Sequence, residues 1–417
     1  RDLRMSRGLG DVYKRQLVYG ALCQVTGRKL PWGDLTGIRP TKIPMKLLEE
    51  GWKNTEIARY MRETYGVSNE KTALAITIAN REKALLQDLD YENGYSLYVG
   101  IPFCPSICLY CSFGSHPLER WTKRVEEYLD TLCKELTFIR EQMGARKLTT
   151  VYIGGGTPTT LEPEQLRRLL SHIQETFDFT WVKEYTVEAG RPDSITREKL
   201  QVMKEFPVTR ISVNPQTMNQ KTLDVIGRKH TVEDTVNIFH MARELEFDNI
   251  NMDLIIGLPG EGKEEVAHTL QEVEKLHPDS LTIHSLALKR ATRLNLFKDK
   301  YEEMSFENSK EIMEMTQQCA GNMGMGPYYL YRQKNIAGNF ENVGYAEVDK
   351  AGIYNILIME EKQTILAAGA GASTKFVFEH GTRIERVENV KDVNNYILRI
   401  DEMLERKRVG IQKYLNG

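Results

Sequence analysis

"SLYVGIPFCPSICLYCSFG", residues 96–114, joins a short apolar run to a loop carrying Cys104, Cys108 and Cys111. The whole chain of 417 residues has only six cysteines, so half of them stand in one loop. The Cys-x3-Cys-x2-Cys spacing supplies three thiolates to one metal centre. A structural zinc site takes four ligands, and His116, five residues after Cys111, would complete it. A four-iron cluster held by three cysteines instead leaves one iron without a protein ligand and open to a small molecule.

Outward from this loop the chain alternates short β-rich runs with amphipathic helical stretches. The strands are read as "SLYVGIPF", "TTVYIGGG", "EYTVEAG", "TRISVNPQ", "INMDLIIGLP" and "SLTIHSLAL". Between them lie helical stretches such as "EPEQLRRLLSHIQETF" and "TVEDTVNIFHMARELEF". Six β/α units predict a parallel sheet with helices outside it, either an open doubly wound sheet or a partial barrel. In both, chemistry belongs at the carboxyl ends of the strands. The distinctive residues stand there: the cysteine loop follows the first strand, "GGGTPT" ends the second, Glu188 the third, Gln216 the fourth and "GLPG" the fifth.

The remaining text places this unit in a larger chain. Residues 17–93 carry apolar positions at helical spacing, as in "EKTALAITIANREKALLQDL", and read as a helical extension. Residues 294–417, where the β/α rhythm weakens, read as a cap over the open end of the unit at 94–293. The first sixteen residues, "RDLRMSRGLGDVYKRQ", resemble translated sequencing adapter and are set aside as non-native. Lys plus Arg (56) nearly balance Asp plus Glu (58), with no basic run interleaved with aromatics, which argues against nucleic acid as a partner. No apolar stretch approaches the roughly 20 residues that span a bilayer. The reading is a cytoplasmic protein, in whose reducing surroundings clustered thiols hold metal or do redox chemistry. Cys133 and Cys319, in helical text, are read as packing residues.

"YVGIPFCPSICLYCSF" resembles the signature of radical S-adenosylmethionine enzymes, and its "PFC" and "YC" neighbours resemble the oxygen-independent coproporphyrinogen oxidase branch. "VYIGGGTPT", "RISVNPQTMNQKTLDVIGRKHT" and "NMDLIIGLPGE" agree with it. With "YYLYRQKNIAGNFENVGYA" and the helical extension, the chain is most similar to coproporphyrinogen dehydrogenases of the HemZ type. The resemblance implies an α/β fold, a partial (β/α)6 TIM-like barrel. It implies a [4Fe-4S] cluster on Cys104, Cys108 and Cys111, with S-adenosylmethionine bound to the open iron. Contacts to that cofactor fall on Tyr98, Tyr110, Gly155, Gly156, Thr157, Glu188, Gln216, Arg228, Asp253 and Ser285, and more weakly on Ala372 or Ser373.

The implied reaction is radical. Reductive cleavage of S-adenosylmethionine gives a 5′-deoxyadenosyl radical that takes hydrogen from a propionate β-carbon. Loss of carbon dioxide and one electron then leaves a vinyl group. Done twice, this turns coproporphyrinogen III into protoporphyrinogen IX, with an electron donor of the flavodoxin or ferredoxin class as a partner. Lys289, Arg290, Arg293, Arg332 and Lys334 are candidate hosts for the substrate carboxylates. Two departures are set against the oxidases: Gly100 stands where they carry histidine, and Phe113 where they carry a fourth cysteine. Both are compatible with the dehydrogenase subgroup, and both also bring the chain closer to the related haem chaperones, the alternative reading. A zinc-binding interaction module resting on His116 is a third.

Overall fold

Seven of the eight residues of β1 (Gly94–Ile101) are buried, the pattern of a strand covered on both faces. The structure, a computed structural model, describes residues 2–112, 116–287, 292–296, 306–333, 336 and 340–416. Four helices precede β1: α1 (Asp2–Thr26), α2 (Lys42–Glu49), α3 (Asn54–Tyr65) and α4 (Asn69–Leu86). α1 runs unbroken through the segment set aside as non-native.

After β1 the strands β2 (Lys147–Gly155), β3 (Glu184–Val187), β4 (Arg210–Ser212), β5 (Ile250–Ile256) and β6 (Ser280–Ser285) each pair in parallel with the strand before. Parallel neighbours need crossovers, and helices α5 (Val125–Met143), α6 (Pro163–Thr176), α7 (Arg197–Lys204), α8 (Val232–Glu244) and α9 (Lys263–Leu276) supply them. Each buries an apolar stripe, such as Leu166, Leu169, Leu170 and Ile173 of α6. Five crossovers of one kind bring six strand ends to a single rim.

The carboxyl-terminal segment continues the same sheet at both edges. It contains α10 (Lys310–Asn322), β7 (Gly326–Tyr331), β8 (Asn342–Ala346), α11 (Ile353–Glu360), β9 (Thr364–Ala368), β10 (Ser373–Phe378), β11 (Arg383–Glu388) and α12 (Ile400–Leu415). The strand order is β11-β10-β9-β1-β2-β3-β4-β5-β6-β8-β7. β9 lies parallel to β1, while β8 runs antiparallel to β6. Cys319 is buried on α10 and Cys133 half-buried on α5, away from the cysteine loop.

Two buried polar clusters tie these layers together. Glu135 of α5 and Lys407 of α12 are both inaccessible and pair at 2.6 Å. Glu135 also accepts from the Tyr396 hydroxyl at 2.6 Å, the Asn389 amide at 2.8 Å and the Gly369 N–H at 2.9 Å. A buried carboxylate with this many donors is compensated for its lost hydration. Trp32 and Lys71, from the amino-terminal helical region, bind the buried Glu341 carboxylate at 2.9 and 2.6 Å. Asn342, next in the chain, accepts from the Ser285 N–H at 2.8 Å, which anchors that region to the rim at β6.

Candidate functional site

The strand ends enclose a cavity of about 430 Å³. Tyr98, Cys104, Cys108, Tyr110, Cys111, Gly155, Gly156, Thr157, Glu188, Gln216, Arg228, Asp253 and Ser285 all line it. Residues up to 187 positions apart in sequence, from Tyr98 to Ser285, thus meet because they lie on the parallel strands or on the segments that follow them.

The cysteine loop is held from two sides. Thr157 lies with its hydroxyl 3.5 Å from Cys104 Sγ, and the Arg191 guanidinium donates to Cys108 Sγ at 3.2 Å. The backbone N–H groups of Gly156 and Thr157 donate to the Ile101 and Phe103 carbonyls, both at 2.7 Å. A Cβ on Gly156 would stand 2.5 Å from the Phe103 oxygen, so only glycine lets β2 press on the strand that leads into the loop. Close approach is therefore required by the protein's own backbone as well as by any ligand. Among the described residues no three His, Cys, Asp or Glu side chains are grouped to hold a single metal ion. His116 pairs with Phe103 through backbone and sets its ring edge-on to Trp121, 5.2 Å away.

Opposite the thiols stand two carboxylates of different character. Burial, and then repulsion from Asp253, push the Glu188 carboxyl up to about 7. It accepts from the Tyr152 hydroxyl and, at 3.2 Å, from the Asn214 amide. Burial alone would also raise Asp253, but hydrogen bonding and charge from His284, with the Asn251 amide at 2.8 Å, hold its carboxyl below the usual range. His284 Nε2 lies 3.6 Å from Asp253, and its Nδ1 lies 3.1 Å from the Tyr331 hydroxyl. The site thus keeps one carboxylate ionised at neutral pH and one poised near its titration point.

Tyr98 and Tyr152 line the cavity, and Tyr354 packs behind them. Tyr152 stacks on Tyr354 with ring centroids 4.4 Å apart, and Tyr98 lies 6.3 Å from Tyr152. Gln216 adopts φ 69°, which turns its backbone to bridge β5: its N–H donates to the Asp253 carbonyl and its carbonyl accepts from Ile255. Arg228 is buried, bonds the Asn214 carbonyl at 2.5 Å, and leaves Nε without a partner. His230, from the same "GRKHT" stretch, is buried behind Arg228, and burial lowers its ring to about 4.

Not every sequence expectation reaches the cavity. Ala372 lines a smaller space of about 120 Å³ together with Tyr98, Gly155, Gly156 and Lys391. Ser285 reaches the cavity, but its hydroxyl already donates to the Glu341 carbonyl and accepts from Asn308, both at 3.1 Å. Arg332 is turned toward the amino-terminal region, where it donates to the Leu35 carbonyl at 3.1 Å and stacks over Trp32. Arg293 lies 3.4 Å from the Ile107 carbonyl. Lys289, Arg290, Lys334 and Phe113 lie outside the described residues. Gly100 is buried where the β9–β10 turn crosses β1, and a Cβ there would meet the Ala368 oxygen at 3.3 Å. Sequence reasoning missed Tyr152, Arg191, Asn214, His284 and Tyr331, all of which line the cavity.

Comparisons with known proteins bear on the chain as a whole. The family description "Radical SAM superfamily" matches residues 98–273. The chain is 43% identical over 395 residues to the "Oxygen-independent coproporphyrinogen-III oxidase-like protein HemZ" of Bacillus subtilis, covering 94% of this chain and 79% of that protein. It is 37% identical over 198 residues to the "Heme chaperone HemW" of the same organism, 47% of this chain and 52% of the other. Among solved structures, the radical SAM enzyme coproporphyrinogen III oxidase from Escherichia coli superposes with a TM-score of 0.61 at 24% identity, covering 77% of this chain and 73% of that one. That likeness is one of fold.

Proposed function

The chain belongs to the radical SAM superfamily, in its oxygen-independent coproporphyrinogen III oxidase-like family, and from that premise we propose that it oxidatively decarboxylates two propionates of coproporphyrinogen III to vinyl groups, giving protoporphyrinogen IX. The observation that carries the reading is the single cavity whose lining brings together three thiols, Glu188, Asp253 and Arg228, a guanidinium with one buried N–H left without a partner. Three thiols leave room for an iron without a protein ligand, and a buried guanidinium with a spare donor fits a carboxylate such as that of a methionine moiety.

A bound [4Fe-4S] cluster and S-adenosylmethionine would supply a carbon radical able to take hydrogen from an unactivated carbon. The protein's part is to bind, orient and exclude water. Cys104, Cys108 and Cys111 would hold the cluster, and the Gly155–Gly156–Thr157 turn, which also lines the cavity, would offer backbone to the amino acid part of the cofactor. Asp253, kept ionised by His284, accepts from ribose hydroxyls, while Glu188 accepts from a hydroxyl or ammonium group. Tyr98 and Tyr152, backed by Tyr354, give this side of the cavity an aromatic wall that would help exclude water. The required electron comes from a small reducing protein of the flavodoxin or ferredoxin class in the cytoplasm. Among the described residues no helix is long and apolar enough to cross a membrane.

A haem chaperone on the same scaffold is the second reading, favoured by the 37% identity to a protein of that name across 198 residues. An anaerobic assay with reductant, S-adenosylmethionine and coproporphyrinogen III separates the two. Vinyl products formed with 5′-deoxyadenosine support the oxidase. Stoichiometric haem binding with no porphyrin product refutes it in favour of the chaperone.

A further inference from the structure

The turn that leaves β3 reads Ala189-Gly190-Arg191-Pro192-Asp193-Ser194. Three residues past Glu188, the chain has crossed from the carboxylate end of the cavity to the thiol end. Gly190 permits the crossing, since a Cβ there would stand 3.2 Å from the Asn214 amide nitrogen. Arg191 then buries its side chain to 4% exposure beneath the cysteine loop.

Every N–H of its guanidinium is used. Nε and Nη2 clasp the Asp193 carboxylate at 2.9 and 2.7 Å. Nη2 also donates to Ser106 Oγ at 3.0 Å, and Nη1 reaches the Ser106 carbonyl at 3.4 Å and Cys108 Sγ at 3.2 Å. Ser106 passes the link on, its hydroxyl donating to the Gly227 carbonyl at 2.9 Å next to Arg228. Lysine, with three donors on one point, could not span this set.

The geometry points to Arg191 as the positioning residue that fixes Cys108 and sets how easily the cysteine-held centre is reduced. A centre bound by thiolates becomes more negative on accepting an electron. A buried cation donating to one ligand sulfur stabilises that state more than the oxidised one, and hydrogen bonds to sulfur are among the levers that set cluster potentials. Asp193 opposes it, cancelling part of the charge while holding the fork in plane. The two side chains therefore push the centre in opposite directions. This inference rests on the proposed cluster, and it gives the Arg-Pro-Asp turn a role beyond chain reversal.

The test is a redox titration of the anaerobically reconstituted full chain, followed by electron paramagnetic resonance, with iron measured per chain. Arg191→Gln is expected to lower the reduced-to-oxidised ratio at fixed reductant roughly tenfold, the worth of one charge-assisted hydrogen bond. Asp193→Asn is expected to raise it. A residue that only braced the loop would change iron content without opposed shifts. Unmoved potentials at full iron content, or shifts of the same sign, overturn the inference. Should Arg191→Gln fail to hold iron, Asp193→Asn decides alone: a rise upholds it, and no change or a fall overturns it. A wild-type chain that forms no cluster overturns the cofactor reading and this inference together, whereas a wild-type cluster with unresponsive variants overturns this inference only.

Discussion

Glu188→Gln separates what the site does for binding from what it costs the fold. The carboxyl rises from 4.5 to about 7 on folding, chiefly through burial and then through Asp253. At about 1.4 kcal/mol for each step of one in pKa, the ionised group costs the native state about 3 kcal/mol above neutral pH. A carboxyl raised on folding adds stability below the unfolded value and loses it as pH climbs through the folded one. The penalty is therefore small near pH 5 and full near pH 8. Glutamine has no charge to lose but supplies one acceptor where Tyr152 and Asn214 found two, at a cost of about 1 kcal/mol. The net gain is about 2 kcal/mol near pH 8 and about nothing near pH 5, or roughly 2–4 °C of melting temperature at the alkaline end. Paired thermal melts of wild type and variant at the two pH values, at one scan rate, measure it. S-adenosylmethionine affinity, followed by calorimetry, should fall about tenfold in the same variant. An equal melting difference at both pH values would refute the reasoning, as would a variant less stable than wild type near pH 8.

Lys407→Met leaves the Glu135 carboxylate buried without its counter-ion, and a denaturant titration should register a loss of about 3–5 kcal/mol. Gly156→Ala drives a methyl into the Phe103 carbonyl, so the variant should fold but hold less iron after reconstitution than wild type. Glu82→Gln should stabilise the chain by about 1 kcal/mol, read as a higher melting point at alkaline pH. Both Glu82 oxygens are buried without partners, and burial with repulsion from Glu360 raises that carboxyl, so wild type loses stability as the proton leaves.

The site was legible where one strand carries both its element and its chemistry. Cys104, Gly155, Glu188 and Gln216 each sit at or past the end of a parallel strand, and the rule that such strands present their carboxyl ends to one rim joins them from sequence. By contrast, "GLPG" after the fifth strand is not among the cavity's lining, and Asp253, on that strand, was reached only through the family resemblance. Arg191 was hidden because Arg-Pro-Asp reads as a loop, and its value lies in a distance to Cys108 that 83 residues of sequence conceal. His284 was passed over in the same way: it counts only through Asp253 on the neighbouring strand and Tyr331 on β7. Arg332 is the reverse case, a charge flanked by the cavity residues Tyr331 and Gln333 that is itself directed to Trp32 and the Leu35 carbonyl. In the fold, β9 escaped notice because "TILAA" is short, ends in two alanines and is followed by glycine-rich text, yet it pairs in parallel with β1 along five residues. Tertiary pairing there outweighs weak local propensity.

The central claim is that this cavity directs hydrogen removal from a propionate β-carbon. Coproporphyrinogen III deuterated at those carbons, supplied anaerobically with reductant and S-adenosylmethionine, tests it by mass spectrometry of the 5′-deoxyadenosine formed. Deuterium in the 5′-deoxyadenosine together with vinyl product is the result this account predicts. Unlabelled 5′-deoxyadenosine beside intact substrate would contradict it.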